Sequence, residues 1–145
     1  MKTFEELLKE AKTVSDKRTK ASRSLKKQFM DVIAPKFAES IDGLGYESIR
    51  FTLKNPLISG QEIIEYSQRY ELKITNEGDV YVAEDETFTP WGSLKNIYDD
   101  IPVNEEHLKF LAVLELCDKI PHKLEELIGV AQAETEKAKE LEVYI

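Results

Sequence analysis

A chain of 145 residues carrying 28 Asp and Glu against 20 Lys and Arg has a formal net charge of −8 and contains one cysteine. That length supports one domain with a core of its own, and a single thiol excludes an internal disulfide. The acidic balance argues against bulk electrostatic attraction to nucleic acid or anionic membranes.

The first 40 residues hold ten basic and six acidic side chains, whereas residues 41–100 hold five and twelve and residues 101–145 five and ten. The reading is therefore a basic N-terminal arm on an acidic body. The opening MKTFEELLKEAK carries acidic residues and lacks the uninterrupted apolar core of a signal peptide, and no apolar run approaches a membrane span. A cytoplasmic protein with no membrane association is expected.

From Thr3 to about Glu39, the apolar residues Phe4, Leu7, Ala11, Val14, Ala21, Leu25 and Val32 recur at steps of three and four. This is a helical seam close to a heptad, with Arg18 and Gln28 intruding. Thr3 stands three residues before Glu6, the spacing of a capping box. Pro35 is expected to end or kink the helix near Ala34, and Ser40 to Gly45 reads as a loop. About 48 Å of helix is more than one small sheet can cover, so part of it projects or packs on another helix.

Two alternating stretches follow. Glu47 to Lys54 places Ile49, Phe51 and Leu53 on one face. Glu62 to Thr75 places Ile64, Tyr66, Tyr70, Leu72 and Ile74 on one face and Glu65, Arg69, Glu71 and Lys73 on the other, the period of a half-buried strand. The second strand is long enough to require a bend or bulge near Ser67-Gln68. Asn76-Glu77-Gly78 fits a three-residue hairpin with Gly78 left-handed; pairing Thr75 with Asp79 then sets Ile74 against Val80 and Leu72 against Val82. Thr87 to Val103 reads as a connection with a short helix over Ser93 to Ile101. Asn104 caps a central helix to about Lys119, and Pro121 opens a further amphipathic helix to about Val143 with a seam at Leu124, Leu127, Ala131, Ala138 and Leu141.

The architecture expected is α+β, a three-stranded antiparallel meander packed on a central helix and flanked by long terminal helices, in the order α-βββ-(α)-α-α. One domain spans 1–145. Within it, 1–40 is a partly projecting basic helix, 46–120 the sheet and central helix, and 121–145 the C-terminal amphipathic helix.

The chemistry-bearing residues are sparse. His107, Cys117 and His122 lack the spacing of a zinc site, and His107 and Cys117 do not share a helix face. Glu84-Asp85-Glu86 and Asp99-Asp100 lack the alternation and glycine of a calcium loop and read as solvated edges. Glu71-Leu72-Lys73 places an acid and a lysine on one strand face, as in metal-dependent nucleases, but the preceding strand Ile49 to Leu53 supplies no second carboxylate. Neither a nucleophile elbow nor a phosphate-cradling glycine loop occurs. No catalytic residue, metal ligand or cofactor is assigned.

What remains are surfaces for partners. Lys17, Arg18, Lys20, Arg23, Lys26 and Lys27 form an acid-free run, with Lys20, Arg23, Lys26 and Lys27 on the outward face of the heptad. A solvated face is the simplest reading; a phosphate grip or a contact with an acidic surface, including the Glu134 to Glu142 cluster, are the alternatives. Trp91, between Pro90 and Gly92, reads first as a cap on the core and second as a partner anchor. The terminal seams (Leu7, Ala11, Val14, Ala21, Leu25; Leu124, Leu127, Ala131, Ala138, Leu141) read as a self-association surface.

The expected role is a non-enzymatic interaction protein of inhibitor, antitoxin-like, adaptor or chaperone type, homo-oligomeric and binding another protein. The alternatives are a nucleic-acid-binding module using the basic helix and a small-molecule-binding or catalytic domain.

Overall fold

The structure, a computed structural model, describes residues 1–59, 62–84, 87–91 and 104–143; of residues 54–59, 62–70, 83–84 and 87–88 only the backbone course is described. Helix α1 (Phe4–Gln28) begins where Thr3 accepts a hydrogen bond from the Glu6 amide at 3.2 Å. Glu5 and Glu6 in its first turn and Lys26 and Lys27 in its last suit the helix dipole.

Of the two outcomes expected of Pro35, an end or a kink near Ala34, the helical run does not end there, and an irregularity does fall immediately before it. The run passes through one π-helical turn, Phe29–Ile33, in which the Ala34 amide donates to the Phe29 carbonyl, and continues as α2 (Ala34–Gly43). Pro35 sits in the first turn of α2, and the widened turn before it accommodates the absent N–H and the pyrrolidine ring without ending the run. The residues expected to form a loop, Ser40 to Gly45, are instead the last turn and its cap. The Tyr46 amide donates to Ile41 O at 2.9 Å and the Gly45 amide to Asp42 O at 3.0 Å, with Gly45 at φ 95°; this pair of bonds is a Schellman closure.

The sheet is an antiparallel meander of β1 (Ser48–Ser59), β2 (Glu62–Thr75), β3 (Val80–Glu84) and β4 (Thr87–Pro90), in that order. Ile74 stands opposite Val80 and Leu72 opposite Val82, the expected register. Gly78 takes φ 91°, and the Thr75 amide donates to Asp79 O at 2.9 Å. The irregularity in the long strand also falls where expected: Lys54 pairs with Arg69 but Pro56 with Glu65, so Tyr66 to Gln68 face Asn55 alone.

Three strands become four because Thr87–Pro90 adds to β3, with Val82 against Thr89 and Tyr81 against Pro90. The Pro-Trp-Gly segment hid this strand in the sequence, yet an edge strand tolerates a terminal proline, which has no ladder bond to donate. The short helix expected over Ser93 to Ile101 lies outside the described residues.

A second correction concerns the C-terminal half. The two helices expected on either side of Pro121 are one helix, α3 (Glu105–Glu142), capped by Asn104, whose side chain accepts from the His107 amide at 2.8 Å. Pro121 costs this helix a backbone bond, on the order of 3 kcal/mol in an exposed setting. Leu116 and Ile120 before it and Leu127 after it are all buried, so packing holds both halves on one axis.

The even face of β2 and its register partners form the core: Ile49, Phe51, Leu53, Leu72, Ile74, Val80 and Val82 meet Phe37, Ala38 and Ile41 of α2 and Leu108, Ala112, Val113, Leu116 and Ile120 of α3. The Phe37 and Phe51 rings lie 5.6 Å apart. The opposite face carries Arg50 and Thr52, exposed, and Lys73, whose ammonium lies 5.3 Å from the centre of the Tyr81 ring. The two helical runs lie side by side in the same direction: Arg18 to Lys26 flanks Asn104 to Phe110, and Leu44 flanks Ile128 to Lys139.

Leu72→Asp is expected to abolish cooperative folding, since it buries an unpaired carboxylate at a cost of several kcal/mol. Lys73→Asp loses the cation–π contact between two half-buried side chains on the outer face and costs about 1 kcal/mol. Urea denaturation followed by circular dichroism separates the two, and equal losses would refute the face assignment.

Candidate functional site

The basic run of α1 is divided by its neighbour. Lys20 and Lys27 point to solvent, while Arg23 and the half-buried Lys26 turn toward the first turn of α3. Together with Arg18, Thr19 and Ser22 they form one wall of a cleft of about 180 Å³, whose other wall is Asn104, Glu106, His107 and Phe110. Of the four residues expected on the outward face, Lys20, Arg23 and Lys27 are exposed and Lys26 is half-buried, with Arg23 and Lys26 at the edge facing α3. Arg18, the residue that interrupts the apolar seam, is the sequence signal for this cleft, because a cation at a seam position makes the junction with the next helix polar there.

Lys26 forms an ion pair with Glu106 across the junction. Its ammonium, through the hydrogen bond and then its charge, holds the Glu106 carboxyl below the ordinary carboxylate value. His107 is held below 6.5, first by burial and then by the Arg18 guanidinium, so its imidazole is neutral near pH 7. Among the described residues neither Arg18 nor Arg23 has a carboxylate within ion-pair distance.

On the far side of the Lys26–Glu106 pair lies a second cleft of about 270 Å³, lined by Phe29, Met30, Trp91, Lys109 and Val113. Trp91 is half-buried, with its ring 5.7 Å from that of Phe29. It therefore covers the edge of the core and also forms a wall of this cleft. A third groove, of about 520 Å³, runs between Leu44 and the α3 residues Ile128, Ala131, Gln132, Thr135, Glu136 and Lys139.

The terminal seams divide in the same way. Leu25 and Leu124 are half-buried against the core and Leu127 is buried within it, while Ala131 is half-buried beside Leu44. Leu7, Ala11, Val14 and Ala21 near one end and Ala138 and Leu141 near the other are exposed. The Glu134 to Glu142 cluster lies at the opposite end of the helical layer from the cleft that contains Arg18 and Arg23, so the contact between them weighed from sequence is not made within the chain.

Among the described residues no group of three or more His, Cys, Asp or Glu is placed to hold a metal ion, and no helix is long and apolar enough to cross a membrane. Cys117 is half-buried, and burial pushes its thiol above the ordinary value, which disfavours the reactive thiolate. No protein family, no curated protein and no solved structure matches the chain.

The depressed His107 pKa means that the unfolded chain binds more protons than the folded one as pH falls below 6.5. The stability it confers is present in full above 6.5 and is lost as pH falls through the folded-state value. NMR titration of the imidazole should give an inflection below 6.5, and Arg18→Ala should move it only part of the way back, because burial is the larger cause. Full recovery in Arg18→Ala would refute that ordering.

Proposed function

We propose that this is a non-enzymatic interaction protein that assembles with copies of itself through the two ends of its helical layer and, so assembled, binds another macromolecule. The observation that carries this reading is the exposure of large apolar side chains on helix segments that extend past the core. Phe4 is 75% exposed, Val14 57% and Val143 83%, with Leu7, Leu8, Ile128, Val130 and Leu141 also exposed. Scattered apolar side chains are ordinary on a protein surface, but Phe4, Leu7, Leu8 and Val14 share one face of α1 beyond the core, the pattern that a partner helix covers, and Ala138 and Leu141 offer a shorter exposed apolar surface near the end of α3.

The directions of the two ends support a closed assembly. The Phe4 end of α1 and the Val143 end of α3 lie at opposite ends of two helical runs that point the same way. A twofold-related copy placed antiparallel alongside brings the α1 end of each protomer to the α3 end of the other. Both stripes are covered at once and the assembly stops at two. A head-to-tail contact covers the same stripes without closing.

Sedimentation equilibrium at micromolar concentration is expected to give a mass of about 33 kDa, twice the 16.7 kDa chain, or a higher multiple. Leu7→Glu with Val14→Glu should return it to a monomer and leave its unfolding free energy from urea denaturation within about 0.5 kcal/mol of that of the wild type diluted to the monomer, since neither residue reaches the core. Leu25 is unsuited to this test because it packs on the core. A wild-type monomer at high micromolar concentration would refute the assembly.

A further inference from the structure

We propose that the cleft between Arg18 to Lys26 of α1 and Asn104 to Phe110 of α3 is a binding site for a phosphate group carried by a small or polymeric ligand. This goes beyond self-association, which uses the apolar residues Phe4 to Val14 of α1 and the end of α3 rather than the cations of the cleft.

Three cations, Arg18, Arg23 and Lys26, line the cleft against one carboxylate, Glu106. That carboxylate is already engaged by Lys26, which leaves two guanidinium groups without a carboxylate partner among the described residues. On the face of α1, Arg18 and Arg23 stand at opposite edges, about 140° apart, with Ser22 and Lys26 between them. An anion seated between the two forks meets planar, multiply donating groups from both sides, the arrangement that suits a tetrahedral oxyanion better than a point charge does.

The second wall adds donors of a different kind. Asn104 caps α3 with its side chain on the His107 amide, and the first turn of this 38-residue helix, with its positive dipole end, borders the cleft through Asn104, Glu106 and His107. Ser22, half-buried, also lines the cleft, and the neutral imidazole of His107 can donate from one nitrogen. Phe110 lines the same wall, its ring 6.2 Å from that of His107. A volume of about 180 Å³ admits a phosphate with a sugar-sized ester but falls short of the roughly 300–1,000 Å³ of drug-sized ligand pockets.

The ligand's source is separable by experiment. Inorganic phosphate, ribose 5-phosphate and a ten-nucleotide single-stranded RNA are titrated into the full chain at fixed ionic strength, with calorimetry and the His107 imidazole resonances as readouts. The expectation is saturable binding of inorganic phosphate or ribose 5-phosphate that shifts His107. Arg18→Ala and Arg23→Ala should each weaken it tenfold or more, Lys9→Ala should leave it unchanged, and Glu106→Gln should strengthen it several-fold by removing the one carboxylate among the described residues of the cleft. All four substitutions are at exposed positions, and circular dichroism verifies the fold. RNA binding at least a hundredfold tighter than ribose 5-phosphate, lost in the same two arginine variants, supports the same cleft and assigns its phosphate to a polynucleotide. Equal weakening by Lys9→Ala, or no saturable shift of His107 with any of the three probes, would overturn the proposal whatever the oligomeric state.

Discussion

Everything in this protein depends on covering one apolar face of a small meander. Ile49, Phe51, Leu53, Leu72, Ile74, Val80 and Val82 present a continuous surface that water cannot be allowed to reach, and only the helices are available to exclude it. At about 25 cal/mol per Å² of apolar surface removed from water, seven such side chains and their helical partners dominate every other favourable contribution. The same demand overrides two prolines. Pro35 is accommodated by a π-helical turn, and Pro121 is carried inside α3, because the residues on both sides of each have to lie on the same sheet.

The covering elements are longer than what they cover. Phe4 to Gly43 forms a helical run of about 60 Å and α3 one of about 57 Å, whereas the stretch of β1 from Ser48 to Lys54 that underlies them spans about 23 Å. Since the two runs are parallel and offset, the surplus appears at opposite ends. The unused length is what gives the molecule apolar stripes to offer. A single seam in the sequence is thereby put to two uses, with Leu25, Leu124 and Leu127 in or against the core and Leu7, Val14 and Leu141 outside it.

Where the two helical runs first meet, apolar packing gives way to charge. The Lys26–Glu106 pair is exposed on its carboxylate side, so its net contribution to stability is small, within about 1 kcal/mol. Its structural effect is larger than its energy. It fixes the first turn of α3 against α1 and separates the basic cleft of Arg18 and Arg23 from the apolar cleft of Phe29, Met30 and Trp91. Placing cations without carboxylate partners beside a helix N-terminus is unfavourable for folding, and the burial of Leu108 in that turn and the packing of Leu25 on the core hold the junction together.

The sequence by itself determined what local stereochemistry governs. Alternation over Ile49 to Leu53 and Leu72 to Ile74 assigned the buried face, because successive side chains of a strand must point to opposite sides. Gly78 and the Thr75 to Asp79 spacing set the β2–β3 register, because a three-residue hairpin has few allowed forms. Thr3 and Asn104 marked helix starts by supplying the oxygen that the first amides lack. The tertiary structure alone decided what depends on distant neighbours: that Thr87–Pro90 adds a fourth strand, that neither Pro35 nor Pro121 ends a helix, and which half of each seam is core. It alone brought Arg18 to Lys26 against Glu106 and His107, some eighty positions along the chain, and so made a cleft from residues that no local spacing links. Such contacts are set by which faces compete for burial on one sheet, and that competition is settled only when the whole chain is packed.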